Sequence, residues 1–328
     1  MTTDHPPAYS TIQGFTQHHV GASSSSSPMT TTVQGAPTRW PTPMCAISLF
    51  SLDKLRLINT PKALTPVLRQ VIGTTWGAIQ KETEQFEFAK GGPCTTSGPQ
   101  TCANNTGCSN CSRKAAGSSF YSLELKLKGN ICSPYGDEKV RARRLMVAIF
   151  KCMAQHGWNL VQSTKIFRLT HDNGTFMFRY SSTTVRSANN VEIKGDGAFY
   201  SEVKVPPVLN QDVEIFAISF NKSNIIRIID GPSTVYPLVL QAAHLHWPTG
   251  IKSEKDVQGT KELHLHPTGL INALYAFDGD AYRWTMVLVE LLSLLQDNLG
   301  FKLYTSAILT IDQDVETWFL RKADASWS

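Results

Sequence analysis

Residues 261–266 read Lys-Glu-Leu-His-Leu-His, and residues 123–128 read Leu-Glu-Leu-Lys-Leu-Lys. Both alternate leucine with a polar residue, the period of a strand that is buried on one side and wet on the other. Each is followed at a similar distance by a long apolar run. If the two are copies of one strand, the chain is a duplication, and its fold is one unit taken twice.

The other landmarks recur in the same order. Residues 45–60, CAISLFSLDKLRLINT, match 215–230, IFAISFNKSNIIRIID, in apolar rhythm. Trp76-Gly77-Ala78-Ile79 answers Trp247-Pro248-Thr249-Gly250-Ile251. Gly136-Asp137 through His156-Gly157-Trp158 aligns without a gap on Gly279-Asp280 through Leu299-Gly300-Phe301. Leu160 to Ser163 and Thr175 to Arg179 then match Leu303 to Ser306 and Thr317 to Arg321.

Each copy reads as a β-α-β-α-β-β unit, so the fold class is α+β: two tandem copies with largely antiparallel sheets and helices on one face. The first helix runs from about Thr65 to Trp76, with Pro66 in the first turn, where a missing N–H costs nothing. The second helix starts at a capping Asp, Asp137 or Asp280, and stops at Gly157 or Gly300. Asn173-Gly174 predicts a tight hairpin between the last two strands of copy one, and Thr310 to Asp314 takes its place in copy two.

The second helix of copy two is apolar nearly all round, from Trp284, Met286 and Val287 to Leu294 and Leu295. That predicts burial on more than one side, with the other half of the molecule as the partner. Copy one carries Arg141, Arg143 and Arg144 in the first turns instead.

Four segments follow from composition. Residues 1–43, rich in Ser, Thr and Pro, are expected to be a disordered tail. Repeat 1 spans 44–180, with a cysteine-rich insertion at about 90–118; a partly ordered linker spans 181–211; repeat 2 spans 212–322. The net charge of +5 hides an asymmetry: 18 Lys and Arg face 8 Asp and Glu over 45–181, against 8 and 13 over 212–321. A basic and an acidic half imply either different partners or mutual attraction.

The N-terminal residues hold no apolar stretch suited to a signal sequence, and no run is long enough to span a membrane. The expected location is intracellular, cytoplasmic or nuclear. Seven cysteines, an odd number, argue against a disulfide framework there. The Asn-x-Ser/Thr triplets at Asn104, Asn173 and Asn221 carry no weight in such a setting.

These motifs resemble a family of uncharacterised eukaryotic tandem-repeat proteins. Its unit has Trp-Gly at a helix end, a Glu-Phe-Lys-Leu-Lys-Gly strand, a helix opening Gly-Glu-Glu-x-x-x-Arg and a closing strand ending Phe-Arg. The matching residues are Trp76-Gly77, Glu124 to Gly129, Gly136 to Arg144 and Phe178-Arg179, with Trp247, Glu262 to His266, Gly279-Asp280 and Glu316 to Arg321 in copy two. Asn130-Ile131-Cys132 stands where the pattern has Pro-Trp, and the cysteine-rich insertion has no counterpart. The resemblance implies the repeat and no activity.

Catalytic signatures are absent: there is no G-x-S-x-G, P-loop, Rossmann fingerprint or H-E-x-x-H. What remains are binding chemistries. His264 and His266, two apart on a strand, would present two imidazoles on one face for zinc, although Lys126 and Lys128 fill those positions in copy one. His244 and His246 form a similar pair on a helix, where that spacing does not share a face. Cys108 and Cys111 have C-x-x-C spacing without a second pair. Asp312, Asp314 and Glu316 alternate as a hairpin turn also would.

Lys126, Lys128, Arg141, Arg143 and Arg144 suggest a basic face for an anionic ligand such as lipid headgroups or nucleic acid. Pro6-Pro7-Ala8-Tyr9 has the P-P-x-Y form read by WW domains. The expectation is a non-catalytic binding or scaffolding protein with no cofactor, zinc being the one metal its residues suggest. An enzyme with an inter-repeat site at His264 and His266 is the alternative.

Overall fold

A computed structural model describes residues 44–88, 119–165, 172–180, 208, 212–221, 224–266, 278–309 and 314–323. Repeat 1 comprises β1 (Met44–Phe50), β2 (Lys54–Ile58), α1 (Thr65–Thr75), β3 (Ile79–Phe88), β4 (Ser119–Leu127), α2 (Glu138–Gln155), β5 (Trp158–Thr164) and β6 (Asp172–Tyr180). Repeat 2 comprises β7 (Ile215–Asn221), β8 (Ile225–Ile229), α3 (Val235–His246), β9 (Ile251–Val257), β10 (Thr260–Leu265), α4 (Asp278–Leu299), β11 (Phe301–Ala307) and β12 (Asp314–Lys322).

The duplication is plain in the topology. Sheet 1 has the order β3-β4-β2-β1-β6-β5 and sheet 2 the order β9-β10-β8-β7-β12-β11. The fold is α+β with antiparallel sheets, as expected, but each copy holds six strands rather than four. The stretch read as one opening strand is a hairpin, because Ser51 at φ 61° turns the chain back within it. The second addition, β3, has the sequence IQKETEQFEF, whose polar character suits a sheet edge and hides it from an apolar-alternation test.

Register corrects the alignment by one residue. Ser48 pairs with Arg56 and Ser219 with Arg227, so residues 46–59 answer 217–230. A one-residue slip exchanges the two faces of a strand, so this decides which side chains are equivalent.

Three local expectations need revision. Asn173-Gly174 is no hairpin turn; both residues lie within β6, where Asn173 is the extra residue of a bulge opposite Leu49 and Phe50. Val315 takes the same role opposite Phe220 and Asn221. Asp137 occupies the N-cap position of α2 without a side-chain capping bond, and Asp280 falls inside the first turn of α4. The stop signals hold: Gly157 and Gly300 follow α2 and α4 at φ 80° and 73°, where glycine has no Cβ penalty.

The layers are sheet 1, then α1 and α2, then sheet 2, then α3 and α4. Helix α2, not α4, lies between the halves, packing on β5 of its own sheet and on β7 and β8 of the other. Its Phe150, fully buried, meets Phe176 and Phe178 of sheet 1 and Tyr304 and Phe319 of sheet 2, with ring centroids 4.9–6.1 Å apart. One apolar core therefore includes residues of both repeats, from Ile47 and Leu57 to Ala217 and Ile229. Helix α4 packs within a second core drawn from repeat 2 alone. No helix among the described residues is long and apolar enough to cross a membrane.

Candidate functional site

Two equivalent sheet faces each carry a row of polar residues. On sheet 1 one row across the strands reads Thr175, Ser48, Arg56, Glu124 and Thr83; on sheet 2 it reads Thr317, Ser219, Arg227, Glu262 and Lys255. The first four residue types are the same. The next row reads Phe50, Lys54, Lys126 and Lys81 on sheet 1 but Asn221, Ile225, His264 and Ser253 on sheet 2.

Sheet 2 presents this face to repeat 1, and arginines of α2 lock onto it. Arg143, 1% exposed, donates from Nε to Thr317 Oγ1 at 3.0 Å, from Nη1 to the Lys139 carbonyl at 2.8 Å and from Nη2 to Asn221 Oδ1 at 3.5 Å. Arg144 donates from Nε to Asp230 Oδ1 at 2.9 Å and from Nη2 to the Gln258 carbonyl at 2.8 Å. Beside them Glu262, 5% exposed, accepts from Arg227 Nε at 2.5 Å and from His264 Nε2 at 3.0 Å. Burial works to raise the Glu262 carboxyl, but Arg227 and His264 outweigh it and hold it below the usual carboxylate range.

At the other side of the junction, the β5 and β11 strands exchange polar contacts. The Leu160 amide donates to the Tyr304 hydroxyl at 2.8 Å, and Thr305 Oγ1 donates to Ser163 Oγ at 2.8 Å. Arg321, fully buried, donates to Asn159 Oδ1 at 2.7 Å and lies over the Tyr304 ring.

On sheet 1 the same row is self-contained. Glu124 accepts from Arg56 at 2.8 Å and pairs with Lys54 at 2.7 Å, while Thr175 Oγ1 donates to Ser48 Oγ at 3.1 Å. Here too burial would raise the carboxyl and its cations lower it, with a net downward shift. The Arg56 guanidinium sits 3.6 Å from the Phe50 ring centroid. Lys54, Lys126 and Lys81 stand directly opposite one another on three neighbouring strands, an arrangement that like charges disfavour. Lys126 is 3.6 Å from Asp53, and no ion pair of Lys81 is found among the described residues.

The five basic residues singled out from sequence thus occupy three places. Lys126 lies on the outer face of sheet 1. Lys128 and Arg141 flank Trp76: the indole Nε1 donates to the Lys128 carbonyl at 2.9 Å, and the Arg141 guanidinium covers the ring at 5.2 Å. Arg143 and Arg144 join the repeats. Trp247 repeats the indole bond, donating to the His266 carbonyl at 2.8 Å, which fixes Lys128 and His266 as equivalents.

His264 turns onto Glu262, whereas His266 is exposed where β10 ends, after a register shift between His264 and Leu265. His244 and His246 lie in the last turn of α3, with His246 3.8 Å from Glu290. No group of three or more His, Cys, Asp or Glu suited to a metal ion occurs among the described residues. Cys108, Cys111, Pro6, Pro7 and Tyr9 lie outside them. Cys45, Cys132 and Cys152 are buried, and burial pushes the Cys152 thiol up to about 11.

Sequence reading missed Lys54, Lys81 and the acceptors Asn221, Asp230 and Thr317. Lys81 is on the strand that went unread; the others became visible only with the correct register.

Fold and site together define a tandem α+β repeat protein in which one repeat's helix is seated on the other's sheet. A family model named after an uncharacterised protein matches residues 43–179 and 214–321, and the chain belongs to that family. The two matched segments begin and end at equivalent positions of the two repeats. No curated protein and no solved structure matches.

Proposed function

We propose that the chain is a non-catalytic binding or scaffolding protein. The observation that carries this reading is the use of its ordered polar clusters. Arg143, Arg144 and Arg321 hold the two repeats together, and Glu262 is clamped by Arg227 and His264 as an ionised carboxylate rather than poised near neutrality as a general acid or base. Groups spent on joining repeats give a rigid body, and a rigid body is suited to presenting a surface.

Thermal unfolding measured across a panel of metals, nucleotides, polyphosphates and anionic lipids tests the reading. A ligand that raises the melting temperature with saturable dose dependence supports it. Substrate turnover abolished by a single side-chain change would overturn it. The lysine row gives an anionic ligand some support, and such binding would weaken steeply with salt. A metal enzyme at His264 and His266 predicts stoichiometric metal in the purified protein, lost when both are changed to alanine.

A further inference from the structure

Helices α2 and α4 are equivalent, but among the described residues only α2 packs against both sheets. The side of α2 that faces sheet 2 carries Arg143, Met146 and Phe150, all buried. The equivalent stripe on α4 is Met286, Val289 and Ser293, with Tyr282 one turn earlier. Tyr282 is 66% exposed and Val289 59% exposed, and neither packs against the repeat 2 core. The sheet face that would receive such a stripe is present too, on the opposite side of the molecule: the outer face of sheet 1.

The two surfaces have changed together. Inside the molecule Arg143 meets Asn221, polar against polar. At the equivalent places α4 carries Met286 and sheet 1 carries Phe50, apolar against apolar. Charge runs the same way, for sheet 1 bears the Lys54, Lys126 and Lys81 row while Glu290 and Asp297 lie on α4. Residues 1–43 contain one acidic residue, Asp4, so the tail does not supply the complement to that row.

We propose that the α4 layer of one copy docks on the outer face of sheet 1 of a second copy, repeating between chains the packing of α2 on sheet 2. The contact is heterologous, so it propagates head to tail rather than closing as a symmetric pair. Two sheet 1 faces cannot meet instead, because their lysine rows would repel. The contact is weaker than the internal one, since Ser293, Gln296 and Asp297 stand on α4 where α2 has Phe150, Met153 and Ala154. It rests on the scaffolding reading only in giving that scaffold its partner.

Sedimentation velocity of the full chain at low salt, up to about 0.1 mM, tests the proposal. Wild-type protein is expected to grow in mass with concentration and to dissociate as salt is raised. A sheet variant, Phe50→Asn with Lys126→Glu, and a helix variant, Tyr282→Ser with Val289→Ser, should each associate at least about tenfold more weakly. Mixed together, they should form a one-to-one complex, because each retains the surface the other lacks. Lys126→Glu alone, at a half-exposed position, serves if the double sheet variant unfolds.

A monomeric wild type under all these conditions overturns the proposal, as does a folded sheet variant that associates like wild type or a mixture that stays monomeric. Substrate turnover would sink the scaffolding reading and leave the docking result standing.

Discussion

Helices α2 and α4 occupy equivalent places in two copies of one unit, yet the more polar of the two is the more deeply buried. Arg141, Arg143 and Arg144 mark α2 as a wet, basic helix by composition, while Trp284, Met286 and Val287 mark α4 as a buried one. In the structure α2 is enclosed between two sheets with eleven buried residues, and Val289 of α4 is exposed to solvent. Composition measures what a side chain prefers in isolation. Burial of arginine is set by whether carbonyls and hydroxyls of another element meet its five N–H groups. Thr317, Asn221 and the Lys139 carbonyl do so for Arg143, and they come from segments 78 or more residues away or from the helix's own backbone.

The largest effect expected from breaking this asymmetry is at Phe150. Truncation to alanine removes one ring from a cluster shared by both repeats and should cost about 3–5 kcal/mol of unfolding free energy. The change at the equivalent, exposed position of α4, Ser293→Ala, should stay within about 0.5 kcal/mol. Denaturant titration of both variants measures the difference directly.

Arg143→Ala comes next, with an expected loss of about 2–3 kcal/mol, because a charged donor is removed and buried acceptors are left unmet. Arg144→Ala, at a partly exposed ion pair, should lose about 0.5–1 kcal/mol.

The two repeated carboxylates sharpen the comparison of sheet faces. Glu262 and Glu124 both have folded-state values below their unfolded ones, so each stabilises the fold above the ordinary carboxylate value of about 4.3, and that contribution is lost as pH falls through the folded value. Glu262→Gln should cost about 2–3 kcal/mol at neutral pH, since it leaves the Arg227 charge enclosed. Glu124→Gln, on the outer face, should cost about 1 kcal/mol. Both gaps should close as pH falls below about 4, measured by urea unfolding from pH 7 to 3. The smallest effect is at Lys126: replacement by alanine should alter stability by no more than about 0.5 kcal/mol.

The duplication was legible because leucines at period two and paired Trp, Gly and Asp landmarks reflect local physics that each copy must satisfy alone. Trp76 and Trp247, each bonded to the first carbonyl past the end of an equivalent strand, show how faithful that record is. Strand β3 was not legible, since an edge strand of Lys, Glu, Thr and Gln carries no alternation. Which helix joins the repeats was not legible either. Unlike a strand's wet face, the seat of Arg143 is built from Thr317 and Asn221, and nothing in the helix's own sequence announces them. Lys126 and His264 illustrate both limits: the alignment pairs them, but only the register shows that one stands in a lysine row and the other on Glu262.

The central claim is that α2 fuses two repeats into one cooperative body. Differential scanning calorimetry of the full chain tests it most directly. The account predicts one transition whose calorimetric and van't Hoff enthalpies agree, and which moves as a whole to lower temperature in Phe150→Ala. Two resolved transitions, with Phe150→Ala shifting one and leaving the other in place, would contradict it.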